Sequence, residues 1–323
     1  MSHAYAAAHR GAIAVERADR TFLRVHGRDP VRMLQGLITN DLAGAPAGRA
    51  VFAAVLTPKG KMVAEVRIVR RGDELLLETA ATARDGLVAH LKKFVPPLFA
   101  RFDDASETWR MLGVYGPDAA RVLRAAGIET AALAREDDAM EDDVVVCIAT
   151  SYAGVPGFDL VLPAAAFDAV RARVVEAGAV PADADVVEVL RVEAGSPRWG
   201  AELLDTTIPL EAGLRTRAIS ETKGCYTGQE VIIRILHRGH VNWLLRGMLL
   251  GEVAPPAPGT ELQNADGKRV ARITSAVRSA RFGQTIALAY VRREVDAGAT
   301  LTLDGATVRV VALPFDGGGS RDG

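Results

Sequence analysis

The chain has 323 residues, 49% of them hydrophobic, enough to bury the cores of two or three domains. Its 39 Lys and Arg against 40 Asp and Glu leave a net charge of −1, with no basic run longer than two, which excludes a general nucleic-acid binder. No run of roughly eighteen apolar residues and no secretory core near Met1 argue against a membrane partner or export, and two cysteines without CxxC spacing, Cys147 and Cys225, fit a reduced cytoplasmic protein with no metal site.

Residues 21–26 (TFLRVH) alternate apolar and polar as a strand does, and Gly27 ends them. Asp29 and Pro30 then open a helix as N-cap and first helical residue, with Met33, Leu34 and Leu37 on one face. Strands are expected at 50–56 and 62–70, joined by the turn Thr57-Pro58-Lys59-Gly60-Lys61, then at 74–79. A helix over 83–94 stops at Pro96-Pro97. The succession repeats: a strand at 109–115, a helix at 117–126 closed by Gly127, strands at 144–150 and 158–162, and a helix at 164–177. The acidic stretch 136–143 reads as a solvated loop. Two such passages predict an α+β architecture with two ferredoxin-like units.

A further helix is expected over 183–193, broken by Gly195-Ser196-Pro197. Beyond the proline-rich turn 255–259 come short strands at 270–277, 285–291, 300–303 and 307–313, the last two flanking the hairpin dipeptide Asp304-Gly305. They predict a C-terminal antiparallel β-barrel of about five or six strands. The domain reading is therefore 1–240, barrel 241–316 and a disordered tail 317–323.

The chemistry-bearing segment is Lys223-Gly224-Cys225-Tyr226-Thr227-Gly228-Gln229-Glu230, followed by Arg234 and Gly239. Bracketing glycines allow close approach of a ligand, and Lys223 is placed to favour a Cys225 thiolate. Gln229 and Glu230 add acceptors, and Arg234 can grip a carboxylate. The alternative, a structural turn with an inert thiol, stays open. A second candidate is Glu193 beside Gly195, able to take two hydrogen bonds from an amidine-like edge such as a pterin's, with Trp199 to stack on a flat ring. Against this stands a Glu193–Arg191 surface pair and a core tryptophan. The turn at Lys59-Gly60-Lys61 lacks phosphate-loop spacing, and His237 and His240 lack a third ligand.

These segments together resemble the YgfZ-type folate-binding proteins of the glycine-cleavage T-protein superfamily, over nearly the whole chain. The signature Lys-Gly-Cys-Tyr-Thr-Gly-Gln-Glu with Arg234 and Gly239 carries the likeness. Residues 27–42, the Lys59–Lys61 turn, Glu193-Ala194-Gly195, Ile208-Pro209 and Thr274-Ser275 follow in the family's order. The resemblance implies a three-domain cloverleaf around a cavity for tetrahydrofolate or a derivative. It implies Lys223 and Cys225 as catalytic candidates, and Glu193, Trp199, Tyr226, Gln229, Glu230 and Arg234 as folate contacts. It further implies support of iron–sulfur enzymes, including tRNA-modifying ones, with assembly factors or client enzymes as partners and no direct nucleic-acid contact. The rival within the superfamily is an aminomethyltransferase, whose acidic pair falls here on Ala64-Glu65. The transfer aspartate is therefore expected to be absent.

Overall fold

The computed structural model describes residues 3–142 and 144–315. The chain opens with helix α1 (His3–Arg10), strands β1 (Ile13–Glu16) and β2 (Arg20–His26), and helix α2 (Pro30–Gln35). Strands β3 (Val51–Leu56), β4 (Met62–Arg71) and β5 (Glu74–Ala80), helix α3 (Arg84–Phe94) and strand β6 (Arg101–Asp104) follow. As expected, Pro30 opens α2 and the Asp29 side chain accepts from the Arg32 N–H at 3.3 Å. Strands β2 to β6 form an antiparallel sheet in the order β3-β4-β5-β2-β6. Because side chains alternate across a strand, Ala64, Val66 and Ile68 of β4 join a core with Leu34, Leu87 and Leu91. Glu65 and Arg67 are thereby turned to the opposite face.

The second half holds β7 (Trp109–Tyr115), α4 (Ala119–Ala125), β8 (Ala139–Glu141), β9 (Val146–Thr150), β10 (Gly157–Pro163), α5 (Ala164–Glu176), β11 (Val180–Pro181) and α6 (Ala184–Glu193). Its sheet runs β11-β1-β7-β10-β9-β8, so the N-terminal strand β1 crosses into it, parallel to β11 and antiparallel to β7. The two α+β units are thus interleaved. The acidic stretch is not a solvated loop. Residues 139–141 pair with β9, Asp137 is buried, and Glu136 accepts from the Ser151 N–H and hydroxyl at 2.7 Å. These carboxylates found partners inside the molecule, which composition alone cannot reveal; Asp143 lies outside the described residues.

Two helices that the pattern reading omitted, α7 (Arg215–Ala218) and α8 (Gln229–Arg238), lead into the last domain. There β12 (Trp243–Gly251), β13 (Glu261–Gln263), β14 (Arg269–Ser279), β15 (Gln284–Arg292), β16 (Thr300–Leu303) and β17 (Ala306–Val311) close into a barrel. Asp304 and Gly305 both take positive φ (47° and 85°), the conformation of the two-residue hairpin that their sequence announces. The expected mixed α+β fold with a closed antiparallel C-terminal barrel is therefore present; the tail 317–323 lies outside the described residues. No helix among the described residues is long and apolar enough to cross a membrane.

Candidate functional site

A cavity of about 1090 Å³ lies where the two sheets, residues 194–198 and the first barrel strand meet. Its floor is a chain of buried ions. Arg20 donates to Glu65 at 2.8 Å and to Glu78 at 2.6 Å, and Arg67 donates to Glu78 at 2.5 Å and to Asp159 at 2.7 Å. The Tyr115 hydroxyl donates to Asp159 at 2.6 Å and receives Arg17 at 2.9 Å, while Arg17 also grips Asp19. Strand parity explains the cluster: Glu65 and Arg67 are two apart on β4, and their sheet neighbours supply Glu78 and Arg20 on the same face. Charges this deep persist only when paired and hydrogen-bonded.

One carboxylate is incompletely served. Glu65 Oε2 is buried and has no hydrogen-bond partner among the described residues, and burial raises the Glu65 pKa above the ordinary glutamate value despite Arg20. Asp159 behaves oppositely: burial works against its charge, but Arg67 and Arg17 hold its pKa below the usual carboxylate range. Two aromatic rings stand in the wall, Tyr152 with the Arg17 guanidinium 5.0 Å from its centroid and Phe52 with Arg217 at 4.3 Å. Arg217 is in turn paired with Glu136 at 2.9 Å and Asp137 at 3.2 Å. The arrangement can seat a flat, polar ring against Tyr152 or Phe52 and can hold or release a proton at Glu65 Oε2.

Of the residues singled out from sequence, Glu65 and Gly195 line this cavity, whereas Glu193, Trp199 and the Lys223–Glu230 segment with Arg234 do not. Lys223 points inward: its Nζ donates to the carbonyls of Gln35, Ile38 and Asn40 at 2.7, 2.8 and 2.9 Å, and burial pulls its pKa down to about 8. That ammonium serves the backbone rather than Cys225, which is exposed. Tyr226 is buried beneath it, its ring 5.2 Å from Nζ. Gln229 and Glu230 form the first turn of α8, and both Glu230 and Arg234 are exposed. Glu193 has one oxygen engaged away from this cavity: its Oε1 accepts from Tyr5 at 2.7 Å and from the Ser279 hydroxyl, which ties α1 and the barrel to the end of α6, while its Oε2 is buried 3.7 Å from His9 Nε2 with no hydrogen-bond partner among the described residues. Those donors and His9 hold the Glu193 carboxyl low, against the effect of burial. Trp199 packs between two apolar clusters. Glu193, Lys223 and Cys225, expected to face one cavity, are not among the residues that line this one.

What the signature segment does is brace the wall from behind. The Thr227 N–H donates to the Gly36 carbonyl at 3.0 Å, and Gly60 of the Lys59–Lys61 turn packs so closely on Val231 of α8 that a Cβ there would come within 2.8 Å. Asn40, held by Lys223, lines the cavity and donates to the carbonyls of Phe52 and Arg217 at 2.8 and 3.0 Å. Strand parity separates Ala64 from Glu65: position 64 belongs to the apolar core, and the acid that reaches the cavity is Glu65. The floor residues Arg17, Arg20, Arg67, Glu78 and Asp159 escaped notice. Their signal was a charge set inside nearly continuous apolar strands, as in MVAEVRIV and FDLVL.

Known proteins place this geometry. Residues 4–222 match the GCVT N-terminal domain, and residues 245–316 match the glycine cleavage T-protein C-terminal barrel domain. The aminomethyltransferase of Rubrobacter xylanophilus is 32% identical over 300 residues, covering 90% of this chain and 79% of that protein. That of Thermus thermophilus is 29% identical over 298 residues, covering 90% and 82%. Among solved structures, glycine cleavage system aminomethyltransferase T from Bartonella henselae superposes with a TM-score of 0.84 at 21% identity, covering 94% of this chain and 86% of that one, a likeness of fold.

Proposed function

Because the chain belongs to the glycine-cleavage T-protein family, we propose that it binds a reduced folate in the central cavity and handles a one-carbon unit there. The observation that carries this reading is the cavity itself: aromatic faces at Phe52 and Tyr152 above a floor whose one incompletely bonded carboxylate is Glu65. A reduced pterin offers a flat ring with several N–H donors, which suits an unsatisfied buried acceptor. Bound folate would supply the one-carbon chemistry. Glu65 would hold or move a proton at Oε2, and the paired arginines would keep the floor rigid and preorganised. The names of the relatives support aminomethyl transfer as the reaction, and the cavity-facing acid at Glu65 is compatible with it.

A second reading is favoured by a separate observation. The Lys223–Glu230 signature places an exposed thiol, Cys225, on a loop locked to the cavity wall through Lys223 and Asn40. That supports folate-dependent assembly or repair of iron–sulfur enzymes of the YgfZ type, with client enzymes as partners. Incubation with a lipoylated carrier bearing an aminomethyl group, with tetrahydrofolate, separates the two. Ammonia and methylenetetrahydrofolate well above a no-protein control select aminomethyl transfer. No turnover, together with rescue of iron–sulfur enzyme activities in cells lacking a YgfZ-type protein, selects the second.

A further inference from the structure

The cations of the cavity wall fall into two groups. Arg17, Arg20, Arg67 and Arg217 are each matched by acids, through Asp19, Glu65, Glu78, Asp159, Glu136 and Asp137. Arg198 is paired with Glu188 at 3.2 Å. Arg246, on the first barrel strand, has none: among the described residues no hydrogen bond or ion pair reaches its side chain, and its Nε is buried without a partner. Arg49 also lacks an acid, but it is exposed and its guanidinium is 3.4 Å from the Glu136 carbonyl. Arg246 is different in kind. It is half-buried and shares the inward parity of Met248 and Leu250 at the barrel mouth, and across the strand pair from it stands the small Ala289. The Arg246 Nε is a buried donor without an acceptor, which is uncommon, and its terminal nitrogens are not among the buried unpartnered atoms, so the fork is left free of any protein carboxylate.

The chemistry of that acceptor follows from the charges. An anionic ligand group gains little at the floor, where every arginine already has its carboxylate. At Arg246 it meets a planar fork suited to a bidentate carboxylate, in a cavity whose lining also includes the apolar Leu245, Leu313 and Pro314. We propose that Arg246 is a specificity residue that receives a ligand carboxylate at the barrel side of the cavity, with the ring seated at the Tyr152 and Glu65 side. The inference rests on the folate reading above, and in those terms the carboxylate is that of the conjugate's glutamate tail.

Titration calorimetry on the intact protein tests it with two probes, tetrahydrofolate and tetrahydropteroate, which has the same ring system but no glutamate. Wild type should prefer tetrahydrofolate. Arg246→Gln should weaken tetrahydrofolate roughly 10- to 100-fold, the worth of a charged hydrogen-bonded pair, and leave tetrahydropteroate within about twofold. Arg246→Lys, which keeps the charge without the fork, should recover part of the loss, and thermal melts confirm that both variants fold. Equal losses for the two ligands, or no loss for either, overturn the role of Arg246 while leaving the folate reading intact. Failure of wild type to bind either ligand overturns the folate reading and this inference with it.

Discussion

The Nζ of Lys223 lies 2.9 Å from the carbonyl oxygen of Asn40, and through that bond the signature segment reaches the cavity it does not line. Two more carbonyls, of Gln35 and Ile38, complete a cage sized for an ammonium. Lys223→Ala leaves one buried and two partly buried acceptors unserved and should cost about 2–4 kcal/mol in urea denaturation. Lys223→Arg should recover little of this, because a planar guanidinium does not fit three converging oxygens. Full stability of the alanine variant would show that the cage contributes nothing.

Cys225 and Cys147 should differ sharply in native alkylation. Cys147 is 2% exposed in β9, and burial, with Asp159 and Asp142 nearby, raises its thiol pKa. Mass spectrometry after brief iodoacetamide treatment should find carbamidomethyl groups on Cys225 with Cys147 spared. Saturating tetrahydrofolate should not slow the labelling, since Cys225 is outside the cavity wall. Strong protection by the folate would place the thiol at the ligand after all.

The two glutamates bonded to Arg20 should answer differently to amide substitution. Glu78→Gln removes a charge that serves both Arg20 and Arg67 and should cost about 3–5 kcal/mol, the cost of breaking a buried pair. Glu65→Gln should cost less, because burial already favours the neutral form. The linkage has a definite sign. A carboxyl whose folded pKa is raised holds its proton more tightly in the fold, so it adds stability below its unfolded pKa, and this is lost as pH rises through the folded value. Urea midpoints from mildly acidic to neutral pH should fall more steeply in wild type than in Glu65→Gln. Parallel curves would remove Glu65 as the titrating group.

Gly228 takes φ +82°, and a Cβ there would stand 2.6 Å from the Thr57 carbonyl oxygen. Gly228→Ala should therefore cost at least about 1–2 kcal/mol in backbone conformation alone, with the clash added. Hydrogen exchange should report the damage at both the Lys59–Lys61 turn and the start of α8. Exchange confined to one of them would show that the two segments do not support each other.

Much of the fold was legible because its signals are local. Periodicity marked the strands, Asp29-Pro30 the start of α2, and Asp304-Gly305 the barrel hairpin. The site was not, because it is made by pairing across long separations. Arg67 reaches Asp159 at 92 residues' distance, and Asn40 reaches Arg217 at 177. Glu193 shows the limit from the other side: its neighbours in sequence suggest a ligand contact, but Tyr5 and Ser279, 188 and 86 residues away, claim its Oε1. The interest of Lys223 could be read from its glycine neighbour, but not the inward direction of its side chain.

The central claim is that the cavity walled by Tyr152, Glu65 and residues 194–198 holds the folate. Ser196 lines it without using its hydroxyl in any hydrogen bond among the described residues, so Ser196→Trp fills the space with little other consequence. Titration calorimetry with tetrahydrofolate should give saturable one-to-one binding in wild type and at least about a 100-fold weaker isotherm in a folded Ser196→Trp variant. Undiminished binding by that variant, or no binding by wild type, would contradict the account.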